Sequence, residues 1–94
     1  MQIEDVFGSR LRVKILKILA QMGELNVSKI ARRLGVNYAT TRQHLKILEE
    51  EGILQHKVYG RIRLYRFNEH SPKAEAVQEF MEAWEHANSS RNQS

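Results

Sequence analysis

The chain has ninety-four residues, a net charge of +4 and no cysteine. This excludes disulfide staples, thiolate metal sites and cysteine nucleophiles, and leaves room for one domain near the lower limit of what buries a core unaided. No apolar run nears the length of a membrane span and no signal-peptide pattern opens the chain, so the expectation is a cytoplasmic protein with no membrane partner.

Met1 to Phe7 carries Ile3, Val6 and Phe7 and reads either as an extra turn of helix or as an arm against a partner. Gly8-Ser9 is a start signal with Ser9 as cap, and a helix is predicted from Arg10 to about Met22. Leu11, Ile15, Ile18, Leu19 and Met22 form one stripe; Val13, Leu16 and Ala20 lie towards a second apolar face. A surface helix touching only its own domain needs one stripe, so Val13 and Leu16 are assigned to a dimer interface. The alternative is a helix sunk in the monomer core. Gly23 closes it, and Glu24-Leu25 leads to the next cap.

Asn26 to Gly52 reads as two helices joined by a tight turn. Asn26 or Ser28 caps the first, whose apolar residues Ile30, Ala31 and Leu34 fall three and four apart. Gly35 supplies the left-handed stop, Val36 a buried plug, and Asn37 the cap of the second helix. Thr41, Leu45 and Leu48 share one face of that helix, and Tyr38, Thr40, Arg42, Gln43 and Lys46, all hydrogen-bond donors, share the other. Two helices, a glycine turn and a donor-rich outer face make a helix-turn-helix, whose second helix enters the DNA major groove. Spacing alone also fits an ordinary helical hairpin within a bundle.

After Gly52 the period changes to two. Ile53 to Val58 and Ile62 to Phe67, flanking Tyr59-Gly60-Arg61, predict a β-hairpin. Leu54, Tyr65 and Phe67 should face the helices, leaving Lys57, Arg61, Arg63 and Arg66 at or near solvent. A basic hairpin in this position is a wing that can reach phosphates or the neighbouring minor groove. The other reading is an edge strand whose cations only prevent aggregation.

Ser71-Pro72 opens a last helix, with Glu75 in its first turn. Ala74, Val77, Phe80, Met81, Trp84 and Ala87 form its apolar stripe. Val77, Phe80, Met81 and Trp84 are assigned, with Val13 and Leu16, to a homodimer interface; the alternative folds the helix back on its own domain. The expected division is residues 1–70 as the DNA-binding unit, 71–88 as the dimerisation helix and 89–94 as a disordered tail. Positive charge collects in the middle: residues 28–67 hold nine Lys or Arg against three Glu, whereas residues 68–94 hold two against five. A phosphate backbone is drawn to the former and repelled by the latter. Glu49-Glu50-Glu51 run against this trend at a helix C-terminus, where the dipole disfavours anions.

Helix, helix-turn-helix, hairpin and C-terminal helix in this order resemble the winged-helix transcription regulators, in particular the ArsR-like and MarR-like groups, from about Ser9 to Phe67. The most specific stretch is ARRLGVNYATTRQHLKILEEEGIL, through Leu34-Gly35, Asn37, His44-Leu45, Leu48 and Gly52-Ile53-Leu54; GRIRLYRF from Gly60 to Phe67 is similar to the wing ending. The resemblance implies an α+β, mostly α fold: a three-helix core, a two-stranded β wing and a C-terminal dimerisation helix. It also implies sequence-specific binding of double-stranded DNA by a homodimer that represses or activates transcription.

By position, Asn37, Tyr38, Ala39, Thr40, Arg42, Gln43 and Lys46 match the exposed recognition-helix sites of these groups. Arg42 can bridge guanine O6 and N7, Gln43 adenine N6 and N7, and Ala39 can meet a thymine methyl. Tyr38, Thr40 and Lys46 suit phosphates, as do Ser28 and Lys29 at a helix N-terminus. His44 reads as a partly buried structural residue. The cysteine ligands of many ArsR-like proteins are missing, and Glu82 with His86 offers only two ligands on an acidic helix, so no metal, cofactor or small-molecule effector is expected. No phosphate loop, nucleophile triad or carboxylate pair marks an enzyme. The combined expectation is a dimeric regulator on an inverted repeat, with helix 37–51 in the major groove and wing 53–67 on the backbone or minor groove. The alternative is a winged-helix module for protein contact.

Overall fold

Helix boundaries follow the residues that satisfy otherwise orphaned backbone amides. The computed structural model describes residues 1–92. The N-terminal segment forms a short helix, α1 (Ile3–Phe7). In α2 (Arg10–Met22) the Ser9 hydroxyl accepts the Arg12 amide at 3.2 Å. In α3 (Val27–Leu34) Asn26 Oδ1 accepts the Lys29 amide at 2.8 Å, which makes Asn26 the cap and places Ser28 inside the first turn. In α4 (Tyr38–Glu50) Asn37 Oδ1 accepts the Thr40 amide at 2.7 Å. In α5 (Pro72–Asn92) the Ser71 hydroxyl accepts the Ala74 amide at 3.2 Å.

Two of the helix exits use left-handed glycines. At Gly35 (φ 73°) the Val36 amide returns to the Ala31 carbonyl at 3.2 Å, and at Gly52 (φ 78°) the Ile53 amide returns to that of Leu48 at 3.0 Å. Both are the six-to-one closure that satisfies a last-turn carbonyl. A side chain at either glycine would be strained by its positive φ.

The sheet has one strand more than the sequence led us to expect. β2 (Leu54–Tyr59) and β3 (Ile62–Phe67) form the hairpin, in register from Leu54–Phe67 to Tyr59–Ile62. A third strand, β1 (Glu24–Asn26), pairs antiparallel with β3 on its other side, giving the order β1-β3-β2. Three residues between a helix stop and a helix cap carry no readable period, and their partner lies far along the chain.

The core is continuous through Ile15, Leu16 and Leu19 of α2, Ile30, Leu45 and Leu48 of the helix-turn-helix, Tyr65 and Phe67 of β3, and Ala74 and Met81 of α5. This corrects the interface assignment at two positions. Leu16 is fully buried and Met81 is 4% exposed within a single chain, so neither is available to a partner. α5 lies back against α2, which also packs on α1, α3, α4 and the sheet, so the second apolar face is used within the chain. A Lys17–Glu85 ion pair at 3.3 Å joins α2 to α5. α5 runs on through residues 89–92, and the expectation for 93–94 lies outside the described residues. No glycine or proline interrupts the helix after Pro72.

Candidate nucleic-acid interface

The outer face of α4 is fixed by what its inner face buries. Thr41, Leu45 and Leu48 are fully buried, and the Thr41 hydroxyl donates to the Asn37 carbonyl at 2.9 Å, so a polar atom enters the core satisfied. With that stripe down, Tyr38, Ala39, Arg42, Gln43 and Lys46 are exposed and Thr40 is half-buried. Asn37, Ser28 and Lys29 are exposed at the starts of the two helices. The helix-turn-helix therefore presents exposed side-chain donors at Ser28, Lys29, Tyr38, Arg42, Gln43 and Lys46, which is chemistry for phosphates and base edges.

The wing adds cations of unequal freedom. Lys57 and Arg61 are exposed and Arg63 is half-buried. Arg66, read as near solvent, is half-buried and paired with Glu69 at 2.7 Å. Among the assigned residues the fold gathers Ser28, Tyr38, Arg61 and Arg63 around one notch of about 90 Å³, completed by Asn26, Val27 and Ile62. Lys29, Arg42, Gln43, Lys46 and Lys57 do not line it. The sequence reading missed Val58, Tyr59 and Ile62, which are half or more exposed at the wing tip, and Arg32 and Arg33, exposed in the last turn of α3. Alternation along β2 and β3 shows which residues point away from the core, but not that both sides of the tip stand clear of the helices.

The acidic run at the end of α4 now has partners. Glu49 meets His56 Nδ1 on β2 at 2.5 Å, and the His56 ring lies 5.4 Å from that of Tyr65. Burial pushes the Tyr65 phenol above its ordinary value; Glu49 adds to this, while Arg63 and Arg42 oppose it. Glu51 pairs with the Met1 amino group at 2.9 Å and stands 3.9 Å from Lys73. These carboxylates fasten the far end of α4 to the wing, α1 and α5, away from its N-terminal half.

His44 is half-buried, and its Nδ1 lies 3.2 Å from Arg12 Nη1. Burial, and then Arg12, lower its basicity from the usual histidine value. A second surface lies on α1 and α5. Ile3 is 70%, Phe80 51% and Trp84 58% exposed, and Phe80 stacks edge-on to Phe7 at 6.0 Å and lies 5.9 Å from Trp84. Val13 and Val77 are half-buried against the core.

A helix-turn-helix with its polar face open and a basic hairpin beside it defines a winged helix-turn-helix, DNA-binding regulator of transcription. Residues 9–56 match the profile described as bacterial regulatory protein, arsR family, and the chain belongs to that family. It is 30% identical over 84 residues to the arsenical resistance operon repressor of Escherichia coli (strain K12), an alignment spanning 89% of this chain and 71% of that one. In structure it is similar to the AntR antimony-specific transcriptional repressor, with a TM-score of 0.75, 22% identity, and coverage of 96% and 77% of the two chains. It is also similar to the homodimeric winged helix-turn-helix DNA-binding domain Mb0332 from Mycobacterium bovis, with a TM-score of 0.70, 26% identity, and coverage of 90% and 73%. Family and fold are those of regulators rather than enzymes. No described helix is long and apolar enough to cross a membrane.

The residues do not fit a cysteine-ligated metal or metalloid site. This sequence has no cysteine, Glu82 and His86 are exposed, and among the described residues no three candidate ligands gather.

Proposed function

We propose that the chain binds double-stranded DNA sequence-specifically as a homodimer on an inverted repeat. The single observation that supports this most is the division of α4, with Thr41, Leu45 and Leu48 inside and Tyr38, Ala39, Arg42, Gln43 and Lys46 outside. In this reading α4 enters the major groove, with Arg42 and Gln43 on base edges and Ala39 against a thymine methyl. Tyr38, Thr40, Lys46, Ser28 and Lys29 hold phosphates, and Lys57, Arg61 and Arg63 of the wing hold the flanking backbone or minor groove. Two copies set their α4 helices about one DNA turn apart, roughly 34 Å.

The joint between copies is the exposed apolar surface of α5 with α1: Phe80, Trp84 and the rim of Val77 from the original assignment, together with Ile3 and Phe7. Val13 lies near the edge of that assignment, and Leu16 and Met81 drop out. No effector enters the reading. The alternative, a module for protein contact, has no use for the cations of α4 and the wing.

Selection of bound duplexes from a random pool tests the proposal. The expected product is an enriched inverted repeat whose affinity falls steeply with salt, because each neutralised phosphate releases a counterion. Enrichment of a lone half-site removes the dimer, and salt-independent or undetectable binding removes the DNA reading.

A further inference from the structure

Arg12 occupies an unusual place for a cation. It sits in the first turn of α2, half-buried, and its guanidinium spans two other helices. Nη2 donates to the Asp5 carbonyl of α1 at 3.2 Å, and Nη1 lies 3.2 Å from Nδ1 of His44 on α4. An arginine has no lone pair to offer, so that contact is a hydrogen bond only when His44 Nδ1 is unprotonated and accepts. Neither group belongs to the reading face of α4, yet His44 follows Arg42 and Gln43 immediately in sequence.

We infer that Arg12 is a positioning residue for DNA binding, a planar clamp that sets α4 against α1 through the neutral His44 ring and the Asp5 carbonyl. The inference rests on the DNA-binding reading given above. It connects α4 to α1, one of the two helices of the proposed joint between copies. A protonated His44 turns its acceptor into a donor and sets two cations against each other, so the clamp opens. Burial and Arg12 are the two influences that lower the basicity of His44, and the nearby Asp5 turns its carboxylate to the Gln2 amide at 3.0 Å. Because both influences lower its basicity in the fold, the unfolded chain holds the proton better. The clamp's stabilisation is therefore full above the ordinary histidine value and is lost as pH falls through the lower, folded one.

Two variants of the full chain test this. Arg12→Lys keeps the charge but offers a point donor that cannot span both acceptors. His44→Asn keeps an acceptor near the Nδ1 position and does not titrate. With a duplex from the selection above, at fixed salt and about neutral pH, Arg12→Lys is expected to bind about fivefold or more weakly with its salt slope unchanged. His44→Asn is expected to bind like the parent there, and to escape the part of the parent's loss that His44 causes as pH is taken below the ordinary histidine value. Equal binding by Arg12→Lys, or an acid profile unaltered by His44→Asn, overturns the inference.

A second measurement needs no DNA. In the free protein the amides of Asp5 to Phe7 should follow the His44 titration by NMR, and should cease to follow it in Arg12→Lys. If they follow it in neither protein, there is no clamp. If they follow it in the parent and no duplex binds at any salt, the clamp stands and the DNA-binding reading fails.

Discussion

α4 and α5 begin from the same kind of pattern and end differently. Each has a capped start and an apolar stripe at helical spacing. The stripe of α4 goes entirely inside: Thr41, Leu45 and Leu48 are all fully buried, and apart from Ala39 and the Tyr38 ring what stands fully exposed is polar. The stripe of α5 is broader and splits. Ala74, Val77 and Met81, three and four apart, turn towards α2, while Phe80 and Trp84 turn out. A stripe narrow enough for one neighbour is consumed by that neighbour; a wider one leaves a remainder that needs a second. The two helices therefore have different outer faces, one made for a polar partner and one for an apolar partner.

The largest expected effect breaks the first half of that contrast. Leu48→Ala removes a fully buried side chain from the floor beneath α4, and unfolding in urea should show a loss of about 2–5 kcal/mol. A loss below about 1 kcal/mol would mean that α4 is not seated as described. Next comes the outer face. Arg42→Ala should cost about 1–3 kcal/mol in affinity for the selected duplex and flatten base preference at its position, with folding stability unchanged. If affinity and preference both survive, the reading face has been misassigned. Asn37→Ala comes third, removing the acceptor of the Thr40 amide and lowering stability by about 1 kcal/mol in the same urea titration.

Much of this contrast was legible in the sequence, because it is local. Ser9, Asn26, Asn37 and Ser71 mark helix starts, and Gly35 and Gly52 mark exits, through bonds spanning only a few residues. The hairpin was legible from the alternation on either side of Gly60. What was not legible depends on segments distant in the chain. β1 acquires its strand identity only from Leu64 to Arg66, and Leu16 is taken from the supposed interface because helices and strands from other parts of the chain pack on α2. The notch of Ser28, Tyr38, Arg61 and Arg63 draws on three elements that no window of sequence contains. The Arg12–His44 contact is of the same kind: each residue read alone is an ordinary helical polar side chain.

The smallest expected effect on folding stability concerns α5 and sharpens the second half of the contrast. Phe80→Ser with Trp84→Ser changes two side chains that are half exposed or more, so in dilute protein the unfolding free energy should move far less than for a core truncation. The consequence should appear in mass action instead. If these rings join two copies, the parent's melting temperature rises with protein concentration, because association draws on the folded state alone. The double variant should then melt at one temperature throughout and sediment as a monomer. Met81→Ala, between the two rings in sequence, is the counterpart. Its side chain faces the core, so it should lower stability by about 2 kcal/mol or more at every concentration. A parent that is monomeric at all concentrations would remove the homodimer altogether, whereas a double variant that still pairs would leave the exposed rings of α5 without the partner proposed for them and move the joint elsewhere on the surface.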